Sequence, residues 1–104
     1  MDKEELDRLC KMYGYSWSVM GEYIEIVSKR DTYFILNLDH EWRRIELRHL
    51  NEHKNSRTHS HGKHKDLCCI FSSIFSHDNI YKAGSRNNKF TRITNDYKRL
   101  GFSY

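Results

Sequence analysis

The chain has no proline, no glutamine and a single alanine, Ala83. It also has no internal repeat and no linker-like segment, so nothing divides its 104 residues. That length fits one domain, expected to run over 1–104 and to bury roughly 60–70% of the surface its unfolded chain exposes. Long apolar runs are missing as well. No stretch approaches the roughly 20 apolar residues of a membrane helix. The start, Met1-Asp2-Lys3-Glu4-Glu5, is acidic and does not read as a signal peptide. Cysteine is scarce and odd in number: Cys10, Cys68 and Cys69. There is neither a disulfide framework nor a C-x-x-C pair. Reduced thiols, and with them a cytoplasmic location, are the expectation.

Signatures of chemistry are absent too. No G-x-x-x-x-G-K-[ST] or G-x-G-x-x-G loop is present to cradle phosphates. No G-x-S-x-G elbow presents a serine, and Ser72, Ser73 and Ser76 are expected on the outer face of a helix. Cys68 and Cys69 flank a helical apolar stripe, where thiols are usually packing groups. No RNP pair, KH loop or zinc finger occurs. No catalytic residue and no cofactor is therefore expected.

What is present is enough to fold. Hydrophobic residues make up 38% and aromatics 13%, against the composition of disorder. Asn, Ile, Lys and Tyr are plentiful, as in products of AT-rich genomes. Residues 2–13 read as a helix. Asp2 is its candidate N-cap, Leu6, Leu9, Cys10 and Tyr13 share one face, and Gly14 follows at the C-cap. Residues 16–29 read as a strand with a bulge or bend at Gly21. Thr32–Leu38 alternates, with Phe34, Leu36 and Leu38 on one face and Tyr33, Ile35 and Asn37 on the other. Asp39-His40-Glu41 is the next turn. Trp42–Leu50 alternates again, with Ile45, Leu47 and His49 inward and Arg44, Glu46 and Arg48 outward. These segments make a three-stranded antiparallel meander over 16–50. Residues 51–65 hold no apolar side chain and read as a basic, histidine-rich loop.

Residues 66–77 give the clearest element. Leu67, Ile70, Phe71, Ile74 and Phe75 form one stripe, with Asp66 at the N-cap and His77 at the far end. Residues 78–104 read as an irregular basic tail. It contains a turn cluster at Gly84-Ser85-Arg86-Asn87-Asn88 and a short helix over Thr94–Leu100 that stops at Gly101. The fold class is α+β: a helix, an antiparallel meander and an amphipathic helix packed on the sheet.

Two histidine features invite a metal reading. His59, His61 and His64 stand in an H-x-H-x-x-H spacing, with His53 upstream. Imidazoles suit zinc, and a small metal-assisted hydrolase is one alternative. Yet no second cluster completes a tetrahedral site, and Lys54, Arg57, Lys63 and Lys65 would repel a dication. No metal is expected. His77-Asp78 matches the two-residue dyad of metal-dependent phosphohydrolases, but the chain is too short for their helical bundle. Here the pair ends a helix.

The cations carry more. Net charge is +4. Residues 1–31 hold seven acids and five bases, whereas residues 82–104 hold six bases against Asp96 alone. Arg43, Arg44 and Arg48 lie on or beside the third strand, and Lys54, Arg57, Lys63 and Lys65 follow in the loop. Lys82, Arg86, Lys89 and Arg92 lie in the tail. Tyr81, Phe90 and Tyr97 are interleaved with them and could stack on bases. Cations with adaptable donors suit phosphate recognition, so a nucleic acid or a host nucleoprotein complex is the expected partner, and a membrane is not. An apolar protein partner docking on Tyr33 and Ile35 is the competing reading, and a structural or oligomerising role is a further alternative.

The run from Arg44-Ile-Glu-Leu-Arg-His-Leu-Asn51, through the basic histidine tract, to Asp66-Leu-Cys-Cys-Ile-Phe-Ser-Ser-Ile-Phe-Ser-His-Asp-Asn79 resembles small accessory proteins of Gram-positive bacteriophages and prophages. The resemblance covers about residues 40–79. It implies a non-enzymatic binding protein, in its most concrete form an anti-CRISPR-type inhibitor. Its positive charge suits guide RNA or an acidic protein patch better than DNA mimicry.

Overall fold

The computed structural model describes residues 3–21, 23–37, 45–51, 57–64, 66–78 and 86–104. The fold is α+β. Helix α1 (Lys3–Tyr13) precedes strands β1 (Ser16–Met20), β2 (Tyr23–Val27), β3 (Thr32–Asn37), β4 (Ile45–Asn51) and β5 (Arg57–His64). Helices α2 (Leu67–His77) and α3 (Arg86–Arg99) follow. The strands form one antiparallel sheet in sequence order.

Helix α1 buries Leu6, Leu9 and Cys10, as its spacing requires. It ends where Gly14 turns left-handed at φ +74°. The Tyr15 amide then donates to the Cys10 carbonyl and the Gly14 amide to Lys11, the paired bonds of a Schellman end. Helix α3 ends in the same way at Gly101. Asp66 caps α2, its carboxylate accepting from the Cys69 amide at 2.9 Å. Trp17 on β1 donates its indole N–H to Asp7 on α1 at 2.9 Å. The ammonium of Lys11, and then this indole, hold the Asp7 carboxyl below the usual range.

Four expectations change. The strand expected over 16–29 is a hairpin. Met20 faces Tyr23 across a two-residue turn that begins at Gly21, whose φ of +63° suits such a turn. The segment expected as a polar loop over 51–65 contains β5, which pairs with β4 from Ile45↔His64 to Asn51↔Arg57. The sheet is therefore a five-stranded one. The tail expected to be irregular contains α3, fourteen residues long, which buries Ile93 and Tyr97. Ser72 is buried rather than outward, because α2 lies between the sheet and α3 and is covered on two sides.

Ile24, Ile26, Tyr33, Ile35 and Leu47 on the sheet join Leu6, Leu9, Ile70, Phe71, Ile74, Phe75 and Ile93 on the helices in one core. The docking surface expected at Tyr33 and Ile35 is thus the core face. Cross-strand pairing decides this. Ile35 stands between Ile24 and Leu47, and Tyr33 beside Ile26, so the Ile24–Ile35–Leu47 row is apolar on all three strands and the Ile26–Tyr33 row is apolar on β2 and β3. The alternate row runs Glu25–Phe34–Arg48 and carries charge at both ends. Asp2, the turn at 39–41, Trp42 and the cluster at Gly84-Ser85 lie outside the described residues.

Candidate functional site

The sheet has a second face. Its rows read Tyr23–Leu36–Glu46 and Glu25–Phe34–Arg48. Alternation puts Tyr23, Glu25, Phe34, Leu36 and Arg48 opposite the core. Tyr23 and Val27 are exposed, and Glu25, Phe34, Leu36 and Arg48 half-buried. The rings of Tyr23 and Phe34 meet edge to face at 5.4 Å, with an angle of 87° between planes. Together with Leu36 and Arg48 they line a shallow depression of about 260 Å³. An aromatic floor with a guanidinium at its margin can accept a flat ring by stacking and an anionic group by charge-assisted hydrogen bonds.

Among the described residues, the basic residues read from the sequence stand on different elements. Arg48 lies on β4 beside the aromatic pair. Arg57 and Lys63 are strand residues, paired across to Asn51 and Glu46. Arg86, Lys89 and Arg92 ride on α3, in the helical layer. Arg43, Arg44, Lys54, Lys65 and Lys82 lie outside the described residues, as does Tyr81. Tyr97, expected as a stacking residue, is buried instead. Burial and its bond to Glu5 raise its phenol pKa, so the ring belongs to the core.

A polar cluster gathers at the other end of the sheet. The turn between β2 and β3 is closed by the Ser28 amide donating to the Asp31 carbonyl at 2.9 Å. Ser28 Oγ accepts from the Asp31 amide at 3.0 Å and donates to Asp78 Oδ2 at 2.5 Å. Tyr33 donates its hydroxyl proton to Asp78 Oδ1. The hydroxyl oxygen also lies 2.6 Å from His77 Nδ1. Tyr33 has one proton to give, so with that proton on Asp78 the imidazole must donate from Nδ1. The phenol pKa is raised, first by burial and then by the Asp78 bond.

One ligand atom each from Asp31, His77 and Asp78 lies within 4.8 Å of the others, the spacing of a metal site. Hydrogen bonds already engage Asp78 and His77 in this cluster. The Asp78 side chain is fully enclosed, and each of its oxygens holds a hydroxyl. His77-Asp78 is therefore a fastener joining the end of α2 to the β2–β3 turn, and no chemical step is assigned to it.

Among the described residues, no helix is long and apolar enough to cross a membrane. Sequence alone does not pair Tyr23 with Phe34 on an open face; the alternation of β3 separates Phe34 from Tyr33 but does not say which side is core. Comparison with family models, curated proteins and solved structures returned no match.

Proposed function

We propose that this chain is a non-enzymatic binding domain that engages single-stranded nucleic acid, alone or within a nucleoprotein, on the open face of its sheet. One observation carries the reading: the Tyr23–Phe34 pair stands beside Arg48 on the sheet face opposite the core. Single-strand binders combine stacking rings with cations that follow the backbone. Strand β5 adds Arg57 and Lys63 to the same sheet, and the net charge of +4 favours an anionic partner. Glu25 and Glu46 lie in the same rows, which favours a few oriented contacts over a broad positive field. Inhibition of a CRISPR effector through its guide strand is the concrete form that the phage resemblance suggests.

The test is an anisotropy titration with short labelled single strands at several salt concentrations. Affinity should fall with salt by a log–log slope of roughly −0.7 per phosphate contact. Phe34→Ala should remove stacking worth about 1–3 kcal/mol, a loss of roughly 5- to 150-fold in affinity. Arg48→Ala should flatten the slope by about 0.7. No binding by the wild type, or salt-insensitive binding indifferent to both substitutions, would overturn the reading.

A further inference from the structure

The two edges of the sheet are built differently. Strand β5 closes one edge, and its eight residues include Arg57, Lys63, three histidines and Gly62. Its pairing with β4 is also irregular: Lys63 and Ser60 face Glu46 and Arg48, so β5 carries one extra residue there. Charge, glycine and a bulge are features by which sheet edges avoid further pairing. Strand β1 closes the other edge and has none of them. Ser16-Trp-Ser-Val-Met20 is uncharged, and it pairs with β2 in unbroken register over all five residues. Ser16, Ser18, Val19 and Met20 are exposed, Val19 by 51% and Met20 by 44%.

The hairpin sets which backbone groups of β1 point outward. Met20 and Tyr23 flank a two-residue turn, so they exchange both hydrogen bonds, and the pairs Ser18–Glu25 and Ser16–Val27 repeat this every second residue. Trp17 and Val19 alternate with them and aim their N–H and C=O away from β2, at the sheet edge. Their side chains turn to the helix side, since they stand opposite Ile26 and Ile24 of the core. Trp17 packs there with its indole held by Asp7, whereas Val19 remains exposed.

We propose that β1 pairs antiparallel with β1 of a second copy of this chain, across a two-fold axis at Ser18. That register pairs all five residues: Ser16 with Met20, Trp17 with Val19, and Ser18 with its own counterpart. The outward backbone groups of Trp17 and Val19 meet their complements, and the exposed Val19 gains an aromatic cross-strand neighbour. Like charges are kept apart. Ser18 stands opposite Glu25 on β2, so the Glu25 positions of the two copies lie three strand spacings from each other, about 14 Å. Pairing one strand with itself also closes the assembly at two chains. Pairing of β1 with the β5 edge of another copy would not close, and the cations and bulge of β5 oppose it. The inference does not depend on the sheet-face reading, because the dimer joins edges and leaves the open faces uncovered.

The test is sedimentation velocity on the full chain over a concentration series. The wild type should move from 12.6 kDa towards twice that mass as its concentration rises to about 1 mM. Ser18→Lys sets two ammonium groups against each other at the axis and should weaken the dimer about tenfold or more. Its circular dichroism spectrum should match the wild type, because Ser18 is exposed and Glu25 gives the lysine a neighbour of opposite charge in the monomer. Cross-linking reads the register. Ser18→Cys should form a disulfide-linked dimer under mild oxidation, since residues facing each other in such a pair lie about 4.5 Å apart. Ser16→Cys would stand about 14 Å from its counterpart along the strand and should link no more than the wild type. A wild type that stays monomeric at about 1 mM overturns the proposal. So does a dimer indifferent to a folded Ser18→Lys, or one linked equally well through Ser16→Cys.

Discussion

Asp78 shows how one side chain fixes the relation between two elements. Its carboxylate is buried and takes a proton-bearing hydroxyl on each oxygen, from Ser28 and Tyr33. Asp78→Ala would leave both hydroxyls without this acceptor. Each unsatisfied buried group costs roughly 1–3 kcal/mol, so urea melts should show a loss of roughly 2–6 kcal/mol. Asp78→Asn keeps one acceptor and should lose less. Phe71 is a purely apolar counterpart, buried in the core and flanked by Tyr13 and Tyr15. Phe71→Ala should cost roughly 3–5 kcal/mol, a large part of the total stability of roughly 5–15 kcal/mol usual for a domain. A melting curve unchanged by that substitution would refute this placement of the core.

At the scale of elements, α1 and α3 end at glycines because their closing bonds require a left-handed residue there. Gly101 has φ +93°, with nothing near enough to clash with an added Cβ. The penalty of Gly101→Ala is therefore backbone strain alone, about 1–2 kcal/mol, and should appear as a lowered melting temperature. Both stops were legible, since each glycine directly follows an apolar periodic segment. Helix α2 was legible as well, from its stripe and from Asp66. Strand β5 was not. Arg57-Thr-His-Ser-His-Gly-Lys-His64 has no apolar residue, and a strand is read from apolar alternation. Its pairing rests on backbone bonds to β4, which leave no mark on side-chain type. The length of α3 was hidden for a related reason: Phe90, Ile93, Tyr97 and Leu100 are few among polar residues, and their partners are distant in sequence.

For the molecule as a whole, burial of thiols and phenols sets its response to alkali. The core pushes the Cys10 and Cys68 thiols from 9.0 up to about 12, chiefly by desolvation. Their folded pKa values exceed the unfolded ones, so the unfolded chain releases these protons first. Stability is then fully present below pH 9 and declines as pH rises toward 12, by up to about 1.4 kcal/mol per pH unit for each group. The raised phenol of Tyr33 adds to the decline in the same direction. Urea melts from pH 8 to 11 should show this fall. Cys10→Ala together with Cys68→Ala should make it shallower. A pH-independent midpoint over that range would show that these thiols are not enclosed as described.

The sequence by itself determined α1, α2, the helix stops, the antiparallel character of the strands and the α+β class. These follow from local periodicity, capping and turn chemistry, which act over a few residues. Only the tertiary structure decided which face of β3 is core. Thr32–Asn37 is apolar on both sides, so the choice rests with Ile24, Ile26 and Leu47 on neighbouring strands. It also placed the described basic residues on both the sheet and α3, and it gathered the polar cluster from Ser28, Asp31 and Tyr33 with Asp78, which stands far from them along the chain. Sites of that kind arise from chain crossings. Their residues are common types at unremarkable spacings, and proximity alone gives them a shared chemistry.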